Sequence, residues 1–483
     1  MLSAIPHLLK LLTAMLVLLV LGFWFTAALH FSLSPDSGYY LPAARFILNG
    51  LTPYADFFTP YTPGGYYLFA LLGENLLGNP VAAKALLYCV HLFNAGLIYA
   101  ILRKFGHDRV LSAFFSAVFA AWIITLDGRD IVLEPFQNMF LLLGFLAAIY
   151  RSGMVAIGLS GIAVGCALMA KQTSFISVPV FLLIAAVPSW VSRDNPETET
   201  TLIAVKRLVL YGVALAVPFT LFCILTGQNF LQTFVKVASF GARLTGYVGA
   251  EYGLYDIVRV ILGGELQGQM LLPLIGIAAL VLILEPTRLN LSLIGLAALN
   301  FLPIIFVRGY GHYIQLIAPW GVLLMAQLCL AIGKRFPSES WVSRVVALLV
   351  AIPILPAALL MVHLHRIEIH KFPIDHQIGL TTEIRQFVKD PRDVLVVGRQ
   401  PWLYYLYYTA HLVPPKHDLG FIYTTKRLEQ RIGGARFVVF AGDGLKDRDG
   451  IRALLEKTGF SRIFKTTLKD GNVELFQRKN LNP

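Results

Sequence analysis

The polar residues that could do chemistry lie in short segments between long apolar runs. Asp36 comes directly after the first run, Lys171 interrupts another, and Arg308 follows a third. A carboxylate at the edge of an apolar region is partly desolvated, which raises its pKa and suits it to accept a proton. Lysine and arginine in the same setting suit a phosphate, because a low dielectric strengthens their attraction to an anion. The sequence therefore predicts a base and an anion site.

The apolar runs indicate a polytopic helical membrane protein. Of its 483 residues 57% are hydrophobic and 14% charged, whereas a soluble domain carries roughly 25% charged residues. The runs match the ~20 residues that cross a bilayer as a helix. We predict eleven spans, near 8–31, 81–102, 110–126, 134–150, 154–170, 174–191, 208–226, 269–285, 289–307, 313–332 and 344–363.

Charge in the loops predicts the orientation of the chain. Every second loop is basic and, apart from 192–207, short, so the positive-inside rule places these loops and the N-terminus in the cytoplasm of a cytoplasmic membrane. The net charge of +12 is then explained without nucleic acid. The opposite, extracytoplasmic side receives the first loop (32–80), the second loop (125–134) and the tail. We thus predict a transmembrane domain over 1–363 and a periplasmic domain over 364–483.

The tail reads as a small α/β domain. Buried strands are predicted at 393–398 and 436–443, an amphipathic helix at 449–460 and a hairpin at 462–479. No GxGxxG follows either strand, and the chain contains no GxxxxGK[ST]. The sequence therefore lacks these nucleotide-binding motifs, which argues against an ATP-driven pump.

Two interpretations of Asp36 are open. "SPDS" is good N-capping sequence for a helix over 38–49. Alternatively, "YYLPAARFIL" and "PGGYYLFALL" form short helices with aromatic faces that lie on the membrane surface, and Asp36 stands at the edge of that platform.

An acid after the first span, followed by "YYLPAARFILNGLTPYADFFTPYTPGGYYLFA", resembles the first outer loop of GT-C glycosyltransferases. The resemblance is to bacterial proteins similar to dolichyl-phosphate-mannose protein mannosyltransferases, the family 39-like group. It implies a GT-C-like fold, a polyprenyl-phosphate-linked sugar as donor and Asp36 as catalytic base. Many relatives carry an Asp-Glu pair where this chain has Asp36-Ser37.

The second loop, "LDGRDIVLEPF", gathers further charge. Asp127 and Arg129 are equally well explained as ordinary loop charge. Glu134 heads an apolar helix, so it must face protein or a cavity and is a functional candidate. The resemblance implies an acid here that faces the acceptor or a divalent metal. Asp130 and Glu134 both fit, and Asp56 in the first loop is a further candidate for a second acid.

Three cations are predicted at one depth on the outer side, against the positive-inside trend: Lys171, Arg243 and Arg308. A donor phosphate explains them, although Lys171 could simply snorkel. His312 could be a metal ligand, but a lone histidine without a neighbouring Cys or carboxylate pair is weak evidence for a metal site, and we expect it to hydrogen-bond the phosphate or the tail domain. The stretch "RGYGHYIQLIAP" resembles a motif "R..HY....P" of bacterial relatives.

The sequence thus predicts a glycosyltransferase that moves a sugar, with inversion, from a polyprenyl-phosphate donor to a hydroxyl on a glycan, lipid or protein. Aromatic and supporting residues either contact the sugar or anchor the interface: Tyr39, Tyr40, Tyr61, Tyr66, Tyr67, Tyr313 and Arg45. A flippase for lipid-linked saccharide is the main alternative, but it should place ionisable groups near the bilayer midplane. A polymerase or ligase that uses a diphosphate-linked glycan is poorly separated by sequence.

Overall fold

The structure is a computed structural model that describes most of the chain. The described residues are 5–31, 33–34, 36–57, 59, 61–150, 153–187, 201–236, 271–303, 311–336, 340–352, 354–371, 374–398, 405–415, 425–441, 445, 447–468 and 471–479.

The N-terminal part of the chain is helical. Its helices are α1 (Ile5–His30), α2 (Ser37–Leu48), α3 (Gly64–Ala70), α4 (Gly73–Leu77), α5 (Pro80–Lys104), α6 (Arg109–Ile124), α7 (Glu134–Tyr150), α8 (Met154–Ala170), α9 (Val178–Ala186) and α10 (Thr201–Thr226). A 3₁₀-helix over Gln172–Ser177 leads into α9.

The remaining helices of the membrane part and of the tail follow. They are α11 (Leu271–Leu284), α12 (Arg288–Leu299), α13 (Gly311–Ile314), α14 (Ala318–Arg335), α15 (Ser340–Ala351), α16 (Ile354–Lys371), α17 (Ile374–Phe387), α18 (Tyr405–Thr409), α19 (Thr425–Arg431) and α20 (Arg448–Lys457).

Helix lies at each of the eleven predicted spans. Among the described residues, four helical stretches are individually long and apolar enough to cross a membrane, and five shorter apolar helices accompany them. The four are Ile5–His30, Pro80–Lys104, Thr201–Thr226 and Trp341–Leu364. The last predicted span falls on two helices, α15 and α16, and α16 continues past position 363. The predicted fold class, a multi-pass helical membrane protein with a small C-terminal α/β domain, is confirmed.

The tail contains a four-stranded mixed sheet of β1 (Val394–Gly398), β2 (Phe437–Ala441), β3 (Phe460–Leu468) and β4 (Gly471–Arg478), in the order β1-β2-β4-β3. The β1–β2 pair is parallel, and the other two pairs are antiparallel. Both predicted strands and the predicted hairpin are therefore present. The amphipathic helix α20 lies over one face of this sheet, where Ile451 and Leu455 are buried against Phe440.

The other face of the sheet packs against the first loop. A single apolar core joins residues of α2 and α3 with residues of α17, α18, β1 and β2. The first loop therefore lies between the helical bundle and the tail domain. Because it contacts both bodies, a change in either one can move it.

Candidate active site

Asp36 stands at the N-terminus of α2, but its side chain does not cap that helix. Its backbone is already helical, with φ −65° and ψ −34°, and within this described helix its carboxylate accepts no capping hydrogen bond. The capping interpretation is therefore not supported, and the residue as a whole is half-buried. Its local role is instead in the backbone, where its carbonyl accepts from Tyr40 N at 2.9 Å.

Charges from distant parts of the chain act on Asp36. Burial raises the pKa of Asp36 above its usual range, and the positive charges of His312 and Lys171 oppose that rise. Glu134 and Asp130 reinforce it. The fold thus brings the first loop, the second loop, the α8–α9 turn and α13 within electrostatic reach of one another.

Glu134 and Lys171 form a buried ion pair. Lys171 Nζ donates to Glu134 Oε1. The side chain of Glu134 is 0% exposed, and that of Lys171 is 1% exposed. Snorkelling of Lys171 is incompatible with this burial. The resemblance left Asp130 and Glu134 open as the acid that faces the acceptor or a metal, and Lys171 was predicted to bind the donor phosphate; the structure shows that Glu134 and Lys171 contact each other. Within the part of the chain described, the second carboxylate oxygen of Glu134 is buried and accepts no hydrogen bond.

Two tyrosine rings flank the ammonium group of Lys171. Its Nζ lies 5.3 Å from the ring centroid of Tyr61 and 4.8 Å from that of Tyr313. Aromatic faces attract a cation, so these rings favour the charged form of the lysine. The ring of His312 lies 4.6 Å from that of Tyr313, which brings an imidazole to the same wall.

The remaining first-loop tyrosines pack on one another. The rings of Tyr39, Tyr40, Tyr61 and Tyr66 lie 5.7 to 6.4 Å apart, mostly tilted or edge-on. Tyr40 is 1% exposed and Tyr66 is 0% exposed. These two rings form the interior of the wall, so their faces contact other tyrosines and are not open to a sugar. Tyr61, which is only half-buried, retains an accessible surface.

Amides near the start of α7 hold the surrounding elements. Gln137 Nε2 donates to Thr173 Oγ1 at 2.9 Å and to Ser174 Oγ at 2.7 Å, just after Lys171. Asn138 Nδ2 donates to the carbonyl of Gln315 at 2.8 Å. Buried amides of this kind fix the register of the elements they join, because an unpaired amide is costly. They explain why α7 carries polar residues one turn after Glu134.

A glycine pair lets the first loop approach the end of α8. A Cβ built on Gly64 would lie 2.6 Å from the carbonyl oxygen of Met169, closer than any real Cβ contact. The backbone N–H of Thr62 donates to Gln172 Oε1 at 3.2 Å. The glycines of the "PGG" at the start of α3 are therefore needed for this close approach, which brings Tyr61 near Lys171.

Asp127 is a member of the charge cluster that the sequence did not distinguish from ordinary loop charge. Its φ of +57° lies in the left-handed region, which Asp and Asn tolerate better than most residues. Burial and the neighbouring Asp130 raise the pKa of Asp127 to about 6, against the opposing charges of His312 and Arg129. The Asp-Gly pair at 127–128 marks the turn, but nothing local in sequence indicates its neighbours.

Asp130 lies beside this group and pairs loosely with Arg129. Their side chains are 3.7 Å apart, and the Arg129 guanidinium packs 4.8 Å from the ring of Phe31. Asp130 thus contributes negative charge to the cluster rather than a buried contact.

Lys84 is a second residue that sequence reasoning missed. Its side chain is 2% exposed, and its Nζ donates to the carbonyls of Phe31 at 2.5 Å and Ala27 at 3.1 Å. It joins the last turn of α1 to the residue that follows, at the end of α1 that leads to Asp36; the carbonyl of Ala27 also accepts from Phe31 N at 3.3 Å. A lysine one turn into an otherwise apolar helix was the available signal.

Two predicted residues lie away from the cluster. Arg45 Nη1 donates to the carbonyl of Tyr408 at 2.8 Å, and its guanidinium lies 5.2 Å from the ring centroid of Tyr408, so it faces the tail domain. Asp56 is exposed and accepts a hydrogen bond from Thr52 N at 2.7 Å, which closes a turn. Arg243 and Arg308 lie outside the described residues.

No metal centre is evident in the described ranges. No group of three or more His, Cys, Asp or Glu side chains there is arranged to hold a metal ion. The chemistry that the site offers on its own residues is a carboxylate with a raised pKa, a buried ammonium group and an unpartnered carboxylate oxygen.

Comparison with known proteins identifies the fold. No family model matches the chain, and no curated protein matches it. Among solved structures it is similar to ArnT from Cupriavidus metallidurans bound to undecaprenyl phosphate, with a TM-score of 0.58, 13% identity and coverage of 97% of this chain and 99% of that one. The apo form of the same protein gives a TM-score of 0.56 at 13% identity, covering 96% and 97%.

The likeness extends over nearly the full length of both chains, so the tail domain is part of the shared fold. It agrees with the predicted architecture, a helical membrane part followed by a small C-terminal α/β domain. The narrower resemblance to the family 39-like group of protein mannosyltransferases receives no support from these comparisons.

Proposed function

We propose that this protein is an integral membrane glycosyltransferase that moves a sugar from a polyprenyl-phosphate donor to an acceptor hydroxyl. The observation that carries the proposal is the convergence of Asp36 with the buried Glu134–Lys171 pair. It occurs on a fold shared with a protein crystallised with undecaprenyl phosphate. A base and a cation at one place are what this transfer needs.

Asp36 acts as the base. Its carboxylate accepts the proton of the acceptor hydroxyl as that oxygen attacks the anomeric carbon. Burial raises the pKa of Asp36, and a base whose pKa is closer to neutral accepts a proton more effectively at operating pH. Its partial exposure leaves room for the acceptor to reach it.

The bond between the anomeric carbon and the phosphate oxygen breaks on the opposite face of the sugar. Its electron pair stays on the phosphate, which leaves as polyprenyl phosphate, and the configuration at the anomeric carbon inverts. Lys171 stabilises the charge that grows on this leaving group. Such an interaction accelerates the reaction because it is stronger in the transition state than in the ground state.

Glu134 keeps Lys171 charged and oriented before the donor binds. A buried ammonium group without a partner tends to lose its proton, and the ion pair prevents that. The second carboxylate oxygen of Glu134 is buried and makes no hydrogen bond among the described residues, so it adds to the negative charge beside Lys171. Arg243, Arg308 and His312 remain proposed as further ligands of the phosphate.

A flippase is the second candidate. A transporter should place ionisable groups midway along its spans. Here Asp36, Glu134 and Lys171 all lie at helix ends, before α2, at the start of α7 and after α8. This placement favours an enzyme at the membrane surface. A polymerase or ligase that uses a diphosphate-linked glycan would need the same cations. It is distinguished from the proposed enzyme by the donor that it accepts.

We also propose that the enzyme lies in the cytoplasmic membrane with its N-terminus in the cytoplasm. The first loop and the domain from 364 onward then face the periplasm. The acceptor is a glycan, a lipid or a protein that carries a hydroxyl group.

The test is transfer by the purified protein from a panel of radiolabelled polyprenyl-phosphate sugars. Wild type should release polyprenyl phosphate, and Asp36→Asn should bind the donor but not release it. Asp56→Asn is the matched control in the same loop, because that acid only closes an exposed turn. Movement of the donor across liposome membranes without sugar transfer would instead establish a flippase. Turnover of diphosphate-linked glycans alone would establish a polymerase or ligase.

A further inference from the structure

The segment that carries Asp36 is held by a residue of the tail. Gln377 in α17 makes two hydrogen bonds with the backbone of Leu33, three residues before Asp36. Leu33 N donates to Gln377 Oε1 at 2.8 Å, and Gln377 Nε2 donates to Leu33 O at 3.1 Å. The two residues are 7% and 2% exposed. A side-chain amide therefore pairs with this backbone much as a neighbouring strand would.

The position of this contact gives it a consequence for Asp36. The chain between α1 and α2 is short, and Lys84 already fixes its beginning at Phe31. Leu33 lies outside any helix or strand, so its N–H and C=O have no helical partners. Gln377 supplies those partners and fixes the point from which α2 begins.

Further contacts join the same two bodies. Arg45 of α2 donates to the carbonyl of Tyr408, and the hydroxyl of Tyr408 donates to the carbonyl of Leu77. Together with the Gln377 contact they connect the first loop to the tail at both ends of α2. The tail therefore restrains α2 as a body, while Gln377 restrains the residues next to the base.

We infer that Gln377 is a positioning residue for Asp36, so that the tail domain completes the active site from outside the membrane bundle. The inference rests on the proposed function of Asp36 as the base. A general base that shifts by about 1 Å can lose roughly 100-fold in rate without loss of substrate binding. Release of Leu33 should therefore lower kcat and leave donor binding nearly unchanged.

The experiment compares wild type with Gln377→Leu, Gln377→Glu and a control in the same helix. Thr381→Val is the control, because it removes the hydrogen bonds of the Thr381 hydroxyl to Thr409 and to the backbone carbonyl of Gln377, both 2.7 Å, and leaves the side-chain amide of Gln377 paired with Leu33. We expect Gln377→Leu to lower kcat roughly 10- to 100-fold with little change in donor Kd, and Thr381→Val to resemble wild type.

Gln377→Glu adds a readout that a merely structural role would not move. A neutral carboxyl can donate to Leu33 O and accept from Leu33 N, as the amide does, whereas a carboxylate can only accept. The ratio of its kcat to that of wild type should therefore rise as the pH falls. In this ratio the fall in kcat at low pH that follows from protonation of Asp36 cancels, because both proteins share it.

Hydrogen exchange tests the contact independently of catalysis. The amide of Leu33 is protected by Gln377, so peptides that cover it should exchange faster in Gln377→Leu than in Thr381→Val. If wild type transfers no sugar, the proposed function fails, while the exchange result still reports on the contact. Wild-type kcat in Gln377→Leu, or a flat pH ratio for Gln377→Glu, overturns the inference. The pH ratio decides if Gln377→Leu does not fold.

Discussion

Replacement of Lys171 by methionine should destabilise the protein strongly, and a second replacement should restore most of the loss. Lys171→Met leaves the carboxylate of Glu134, which is 0% exposed, without its partner. Removing one member of a buried ion pair costs about 3–5 kcal/mol, because the remaining charge is uncompensated. The double variant Lys171→Met/Glu134→Gln removes both charges. It should therefore be more stable than the single variant, although it carries one more substitution.

The assay is thermal unfolding in detergent micelles, followed by intrinsic fluorescence. At about 2 °C per kcal/mol for a large chain, Lys171→Met should lower the Tm by roughly 6–10 °C. The double variant should regain more than half of that. Lys334–Glu285 is the matched control, since this ion pair is 46% and 21% exposed; Lys334→Met should cost at most about 1 kcal/mol.

Activity separates the two roles of the pair. Because Lys171 is proposed to stabilise the leaving phosphate, the double variant should regain stability without regaining sugar transfer. A Lys171→Met protein as stable as the Lys334→Met control would refute the buried pair. A double variant less stable than Lys171→Met would refute the compensation argument, and recovery of transfer in it would remove Lys171 from the mechanism.

Three further predictions follow from the same geometry. The acidic limb of kcat/KM against pH should lie above the ordinary carboxyl range, because burial raises the pKa of Asp36. His312→Gln should move this limb to still higher pH, because it removes a positive charge that opposes the rise; an unmoved limb argues against that coupling. The folded state keeps a proton on Asp127 between pH 3.8 and about 6, whereas the unfolded state releases it, so the protein loses stability as the pH rises through that window. Asp127→Asn has no such proton, so its Tm relative to wild type should increase across the window, and a constant difference in Tm would contradict the raised pKa. Gly64→Ala should cost roughly 1–3 kcal/mol by overpacking against a backbone carbonyl, whereas Gly96→Ala, with no atom within 4 Å of the added Cβ, should unfold at or above the wild-type Tm.

Local sequence determined the elements of this protein. Apolar runs of bilayer length predict helices at any position in the chain, because unpaired backbone groups cannot remain in lipid. The strands of the tail were equally visible, since "DVLVVG" and "RFVVFAGD" are buried runs bounded by turn residues. The candidate residues Asp36, Glu134 and Lys171 were also evident, because ionisable groups at the ends of apolar runs are costly and need a reason.

Tertiary structure alone decided which of these residues meet. Glu134 and Lys171 are 37 positions apart and Leu33 and Gln377 are 344 apart, so no periodicity or capping rule links them. The same is true of Arg45, whose sequence context is that of the tyrosine platform but whose guanidinium turns toward Tyr408 in the tail. Hydropathy determines which residues are buried in lipid or protein. Which residues contact each other inside the protein depends on how the helices and loops pack in three dimensions.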